Sequence, residues 1–202
     1  IMAIKLKSKK TDVDLAGCSK IWGFPDLPDS VPYPEVEVEV DGEKFVNPLT
    51  FICQIRCQDL VPVDRQGLLP HTGMLYFFGD VDYFLGRFEY DSPGMGEWGT
   101  NFFRVLYSPT CDDLHSHKLV DESGALLGLP AESLSFEECE DKDDGFKLLG
   151  RPYFDEVDEL YPDWTSLLQL DCSDEWNLQF YDSGMLNFLM RGNEIRCYLH
   201  SF

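Results

Sequence analysis

The sequence predicts an α+β fold that is mainly β. The expected body is an internally duplicated β-rich unit, packed about a pseudo-two-fold with few short helices. Three observations predict it. Aromatic and β-branched runs alternate with polar residues at period 2. Turn formers divide those runs. Three motifs in the first half return in the same order in the second.

The first periodic segment is Val36, Val38 and Val40, interleaved with Glu35, Glu37 and Glu39. Successive strand side chains point to opposite faces, so the valines share one face and the glutamates the other. Asp41-Gly42 follows, a dipeptide that accepts the positive φ angles of a tight hairpin turn, and the return strand is expected through Glu43 to Val46. Phe51, Cys53 and Ile55 share a strand face, and residues 74–78 and 102–107 are further aromatic strands. Short helices are expected near residues 155–160 and 133–139, and at the C-terminus after Asn193.

Residues 121–144 carry nine acidic residues and one lysine, with turn formers at Gly124, Gly128 and Pro130. They read as an exposed acidic connector. The expected organisation is therefore a first β-rich repeat unit at 1–120, the connector at 121–144 and a second β-rich unit at 145–202, forming one compact domain.

The repeat supports that division. Lys20-Ile21-Trp22-Gly23-Phe24-Pro25 returns as Lys147-Leu148-Leu149-Gly150-Arg151-Pro152. Phe51-Ile52-Cys53-Gln54-Ile55 returns as Leu167-Leu168-Gln169-Leu170, with the glutamine again inside an apolar run. Gly73-Met74-Leu75-Tyr76-Phe77-Phe78 returns as Gly184-Met185-Leu186-Asn187-Phe188-Leu189.

Composition excludes several functions. The 37 acidic and 16 basic residues give a net charge of −21. Phosphate backbones are bound through Lys and Arg that displace counterions, so no nucleic-acid partner is expected. Anionic membrane surfaces repel the same field, and no apolar run approaches the ~20 residues of a spanning helix. A basic protein partner would be attracted and steered. The seven scattered cysteines form no CxxC pair, which fits buried thiols in a reducing, cytoplasmic setting rather than a disulfide framework. The lysine-rich segment 2–10 has no apolar core and does not read as a signal peptide.

Few motifs point to chemistry, and no cofactor is expected. Gly94-Met95-Gly96-Glu97-Trp98-Gly99 matches GxGxxG but is followed by a strand-like segment instead of the helix a dinucleotide site requires. His115 and His117 share strand parity with Cys111 and Asp113, the weak candidates for a metal site in a chain with no closed four-ligand spacing. Gln54 and Gln169 are polar amides in apolar strands. Each must find partners, either anchoring the sheet locally or lining a pocket between the halves.

The ordered motifs at 19–28, 51–55, 70–78, 149–152, 167–171 and 182–188 resemble the YwqG-like proteins, a family of unknown function. That family has a Gly-Gly pair where Trp22-Gly23 stands here, and tyrosine where Arg151 stands. The resemblance implies a fold but no catalytic residues. Gln54, Gln169, Trp22 and Arg151, drawn from the two motif copies, are the candidate ligand-binding residues. Some bacterial members of that family occur in toxin–immunity neighbourhoods, so the resemblance admits an immunity-like role. The expected function is a non-catalytic binding or regulatory protein with a basic protein partner. The alternatives are a small-molecule binder using a cleft between the repeats, and an unrecognised enzyme. Oligomeric state is not encoded in these features.

Overall fold

The computed structural model describes residues 2–87 and 92–202. Its centre is one curled sheet of eleven strands. In chain order the strands are β1 (Ala3–Lys9), β2 (Lys20–Ile21), β3 (Asp26–Pro28), β4 (Glu35–Val40), β5 (Glu43–Pro48), β6 (Thr50–Arg56) and β7 (Met74–Gly79). They continue as β8 (Gly96–Glu97), β9 (Phe103–Ser108), β10 (Leu114–Ser116), β11 (Glu132–Cys139) and β12 (Lys147–Leu148). After helix α1 (Asp155–Leu160) come β13 (Thr165–Asp171), β14 (Met185–Arg191) and β15 (Glu194–His200).

The main sheet runs β8-β15-β14-β13-β12-β1-β11-β2-β6-β7-β9, and every pairing in it is antiparallel. Strands β8 and β9 sit at its two ends, yet only residues 98–102 separate them in the chain. That short link draws the two edges of the sheet together, so the sheet curls round a shared interior. Phe77 of β7 and Phe188 of β14 meet there edge to face, with centroids 5.4 Å apart.

Period 2 explains the layers. Along β7, Leu75 and Phe77 enter the shared core, while Met74, Tyr76 and Phe78 enter a second cluster with Leu27, Val36 and Leu49. Along β14, Leu186 and Phe188 face the shared core, while Met185 and Leu189 face a third cluster with Phe154, Val157 and Trp164 around α1. Because both faces are covered, these strands read as continuous apolar runs. The small sheets β3–β10 and β4–β5 lie beside the main sheet.

Hairpin β4–β5 turns at Asp41-Gly42, where both residues have positive φ (53° and 83°), and α1 forms as the sequence predicts. Two expected helices are strands. Residues 132–139 form β11, which pairs with both β1 and β2. Leu134 and Phe136 pack on the core while Ser135 and Glu137 are exposed, so the alternation is that of a strand. The second half of the acidic segment is thus built into the middle of the sheet. After Asn193 the chain forms β15. Arg191 faces Glu194 across a two-residue turn, and Cys197 and Leu199 alternate with Arg196, Tyr198 and His200.

On either side of the central β1–β11 pair the sheet repeats a local geometry. Lys20 pairs with Gln54 and Ile21 with Cys53; Lys147 pairs with Gln169 and Leu148 with Leu168. The register shifts between Phe51 and Cys53, and again between Ser166 and Leu168. Trp22-Gly23 and Leu149-Gly150 both follow with positive φ at each residue.

Candidate functional site

The glutamines are the polar centre of each of these two arrangements. Gln54 is fully buried. Its Oε1 accepts from Asp26 N–H at 2.9 Å, and its Nε2 donates to Cys18 C=O and to the Asp26 carboxylate, each at 2.8 Å. The same Asp26 oxygen also receives Lys20 Nζ and Gly17 N–H, each at 2.9 Å. Gln169 is equally buried. Its Oε1 accepts from Tyr153 N–H at 3.0 Å, and its Nε2 donates to Asp143 C=O at 3.2 Å and to Gly145 C=O at 3.0 Å. Each amide ties a loop to its strand, and neither lines the cleft beside Trp22.

The lysines beside them differ. Lys20 has a carboxylate partner. Lys147 is fully buried and donates to two carbonyls, those of Asp141 and Arg151, each at 2.8 Å. Desolvation lowers its pKa to about 8, against weaker pulls upward from nearby anions.

Arg151 projects outward. Its guanidinium pairs bidentately with the buried carboxylate of Asp158 on α1, which Lys142 also approaches. His115 lies on β10 and contacts exposed Asp29 at 2.9 Å; the backbone N–H of His117 donates to Pro25 C=O. Among the described residues, no group of three or more His, Cys, Asp or Glu is placed to hold a metal ion. Within the GxGxxG segment, Gly96-Glu97 forms β8, and a strand follows it.

Trp22 borders a mostly apolar cavity. A cleft of about 320 Å³ is lined by Trp22, Phe24, Tyr33, Leu49 and Phe51. Leu119, Leu126, Leu127 and Leu129 also line it. The positive-φ turn at Trp22-Gly23 brings Trp22 to the cleft, while its ring packs edge to face on Trp176 with centroids 5.6 Å apart. Residues 119–127 form a small hairpin, with Val120 bridging Leu126. Its tip is fixed by the Asp121 carboxylate, which accepts from Ser123 and Ala125 N–H. Leu126 and Leu127 remain exposed at the lip.

Two charged residues, Asp82 and Arg87, complete the lining. Burial raises the Asp82 pKa above the usual carboxylate range, with the Thr50 hydroxyl and Arg87 opposing. The cleft is thus an apolar slot bearing one buried acid and one partly exposed base.

With that geometry in view, a family model matches residues 19–197: domain of unknown function (DUF1963). The chain belongs to this family. No curated protein matches it. Of the candidate ligand-binding residues Gln54, Gln169, Trp22 and Arg151, this DUF1963 chain brings only Trp22 to the cleft. Tyr33, Asp82, Arg87 and the leucine hairpin were missed. Their available signals were the Asp80-Val81-Asp82 acids ending an aromatic strand and the Leu126-Leu127 pair inside an acidic segment.

Proposed function

We infer that this protein is a non-catalytic binding protein and that the cleft beside Trp22 is its recognition site for a small organic molecule. The observation that carries this reading is the pairing of an apolar slot with a buried carboxylate. Binding sites are typically concave, mostly apolar and marked by few polar groups, and about 320 Å³ lies at the small end of their range. The exposed leucines at the lip support the same reading, since a ligand would cover apolar surface now facing water. A thermal-shift screen of metabolite-sized compounds tests it. A ligand that raises the Tm of the wild type and not of Leu127→Glu supports the cleft. A screen in which no compound shifts the melt overturns it.

A basic protein partner is the second reading, favoured by the net charge of −21 and by the four glutamates exposed on the β4–β5 hairpin, Glu35, Glu37, Glu39 and Glu43. An immunity-like role would be one form of it. Such binding would weaken steeply with salt and fall when those glutamates become glutamines.

The matched registers, bulges and positive-φ pairs support descent of the two arrangements from one duplicated unit, packed about an approximate two-fold between β1 and β11. The ordered motifs support a YwqG-like assignment within the family. The seven unpaired cysteines support a cytoplasmic setting.

A further inference from the structure

The cleft holds opposite charges that do not satisfy each other. The Asp82 side chain is 6% exposed and that of Arg87 27%, and their closest approach is 3.9 Å between Nη1 and Oδ1. That is beyond hydrogen-bond range. A buried carboxylate with no ionic partner in hydrogen-bond range is costly, its neutral neighbour being the Thr50 hydroxyl, and a loosely held guanidinium beside it keeps its donors for another acceptor. Trp22, which also lines the cleft, has a buried indole N–H with no acceptor among the described residues.

A ligand carrying both charges would resolve this arrangement. An ammonium set against Asp82 supplies the short charge-assisted bond that Arg87 does not reach. The displaced guanidinium then takes a carboxylate in its planar fork. The remaining wall is apolar and suits a hydrocarbon or aromatic body. A cation alone would leave Arg87 without a counter-charge; an anion alone would meet the field of Asp82. We propose that the cleft binds a small zwitterion with an apolar body, of the class of a free hydrophobic α-amino acid, with its ammonium on Asp82 and its carboxylate on Arg87. This rests on the cleft being the ligand site, and the volume admits one such molecule.

Isothermal titration with four probes sharing a phenylethyl body tests it: L-phenylalanine, phenethylamine, 3-phenylpropanoate and neutral 3-phenylpropanamide. L-phenylalanine is expected to bind at least about tenfold more tightly than each of the others. Asp82→Asn should reduce it to the level of 3-phenylpropanoate, and Arg87→Gln to that of phenethylamine. Arg87 is partly exposed, so its variant decides the matter if Asp82→Asn does not fold. Equal binding of all four probes would overturn the zwitterion while leaving a ligand cleft. Binding of none overturns the zwitterion, and only a compound screen that is also blank removes the cleft reading with it.

Discussion

Gln54 and Asp26 are joined by two hydrogen bonds running in opposite senses: the Asp26 N–H donates to the glutamine oxygen at 2.9 Å, and the glutamine amide donates to the Asp26 carboxylate at 2.8 Å. Replacing Gln54 with leucine would orphan Asp26 N–H and Cys18 C=O and strip a donor from a buried carboxylate. Gln169→Leu would orphan Tyr153 N–H and two carbonyls. Each substitution should cost about 1–3 kcal/mol, the first more because a charge is involved. Chemical denaturation of the two variants measures this, and unchanged midpoints would refute the anchoring role.

Lys147 sets a pH dependence. Its folded pKa is about 8, below its unfolded value of 10.5. Between these values the unfolded chain holds more protons, so this group's contribution to stability rises with pH across that window and stays at its lowest below pH 8. Buried thiols such as Cys53 act oppositely above their ordinary pKa, because burial favours their neutral form. The difference between wild type and Lys147→Met isolates the lysine. It should move in favour of wild type from pH 8 upward, by at most about 1.4 kcal/mol per unit.

Tyr153 occupies, relative to Gln169, the place that Asp26 occupies relative to Gln54. Tyr153→Asp should therefore offer Lys147 the carboxylate that Lys20 already has, and raise its pKa. NMR titration of the Lys147 ε-methylenes reads this directly; an unmoved midpoint would show that the new carboxylate does not reach the ammonium.

Gly73 and Gly184 precede β7 and β14. A Cβ at Gly73, where φ is +84°, would lie 2.0 Å from Ser108 C=O, and one at Gly184 would lie 2.5 Å from Phe180 C=O. Both obstacles are backbone. Alanine at either position should destabilise by more than about 1 kcal/mol, with Gly73 the worse because its backbone conformation is also strained. Thermal melts of both variants check the order.

The net charge of −21 should make stability salt-dependent. Raising ionic strength from roughly 0.01 to 0.15 M shortens the screening length from about 30 to 8 Å and weakens self-repulsion. The Tm should rise over that range; a fall would mean that the surface ion pairs outweigh the repulsion.

Local signals were legible in the sequence where neighbours in the chain decide the structure. Asp41-Gly42 specified its hairpin through two positive φ angles, and residues 74–78 became a strand because both faces find apolar cover. The expected helix at 133–139 failed for a physical reason: glutamates beside Leu134 and Phe136 read as solvated, yet the flanking strands β1 and β2 come from far earlier in the chain and complete the sheet around them. The alternation of Ile4 and Leu6 with Lys5 and Lys7 offered the matching clue for β1. The cleft was illegible for the same reason. Trp22, Asp82 and Leu127 are separated by tens of residues, and only tertiary packing brings them to one cleft.

The placement of β1 has a kinetic consequence. Ala3 lies opposite Cys139, and Ile4 also meets Leu148, so the first strand has no partner until most of the chain exists. Closing such a long loop must precede any reward from the contact, which slows folding in topologies dominated by distant pairings. During synthesis β1 emerges from the ribosome as an unpaired strand and must wait for β11 and β12. In that interval its edges are open to other chains.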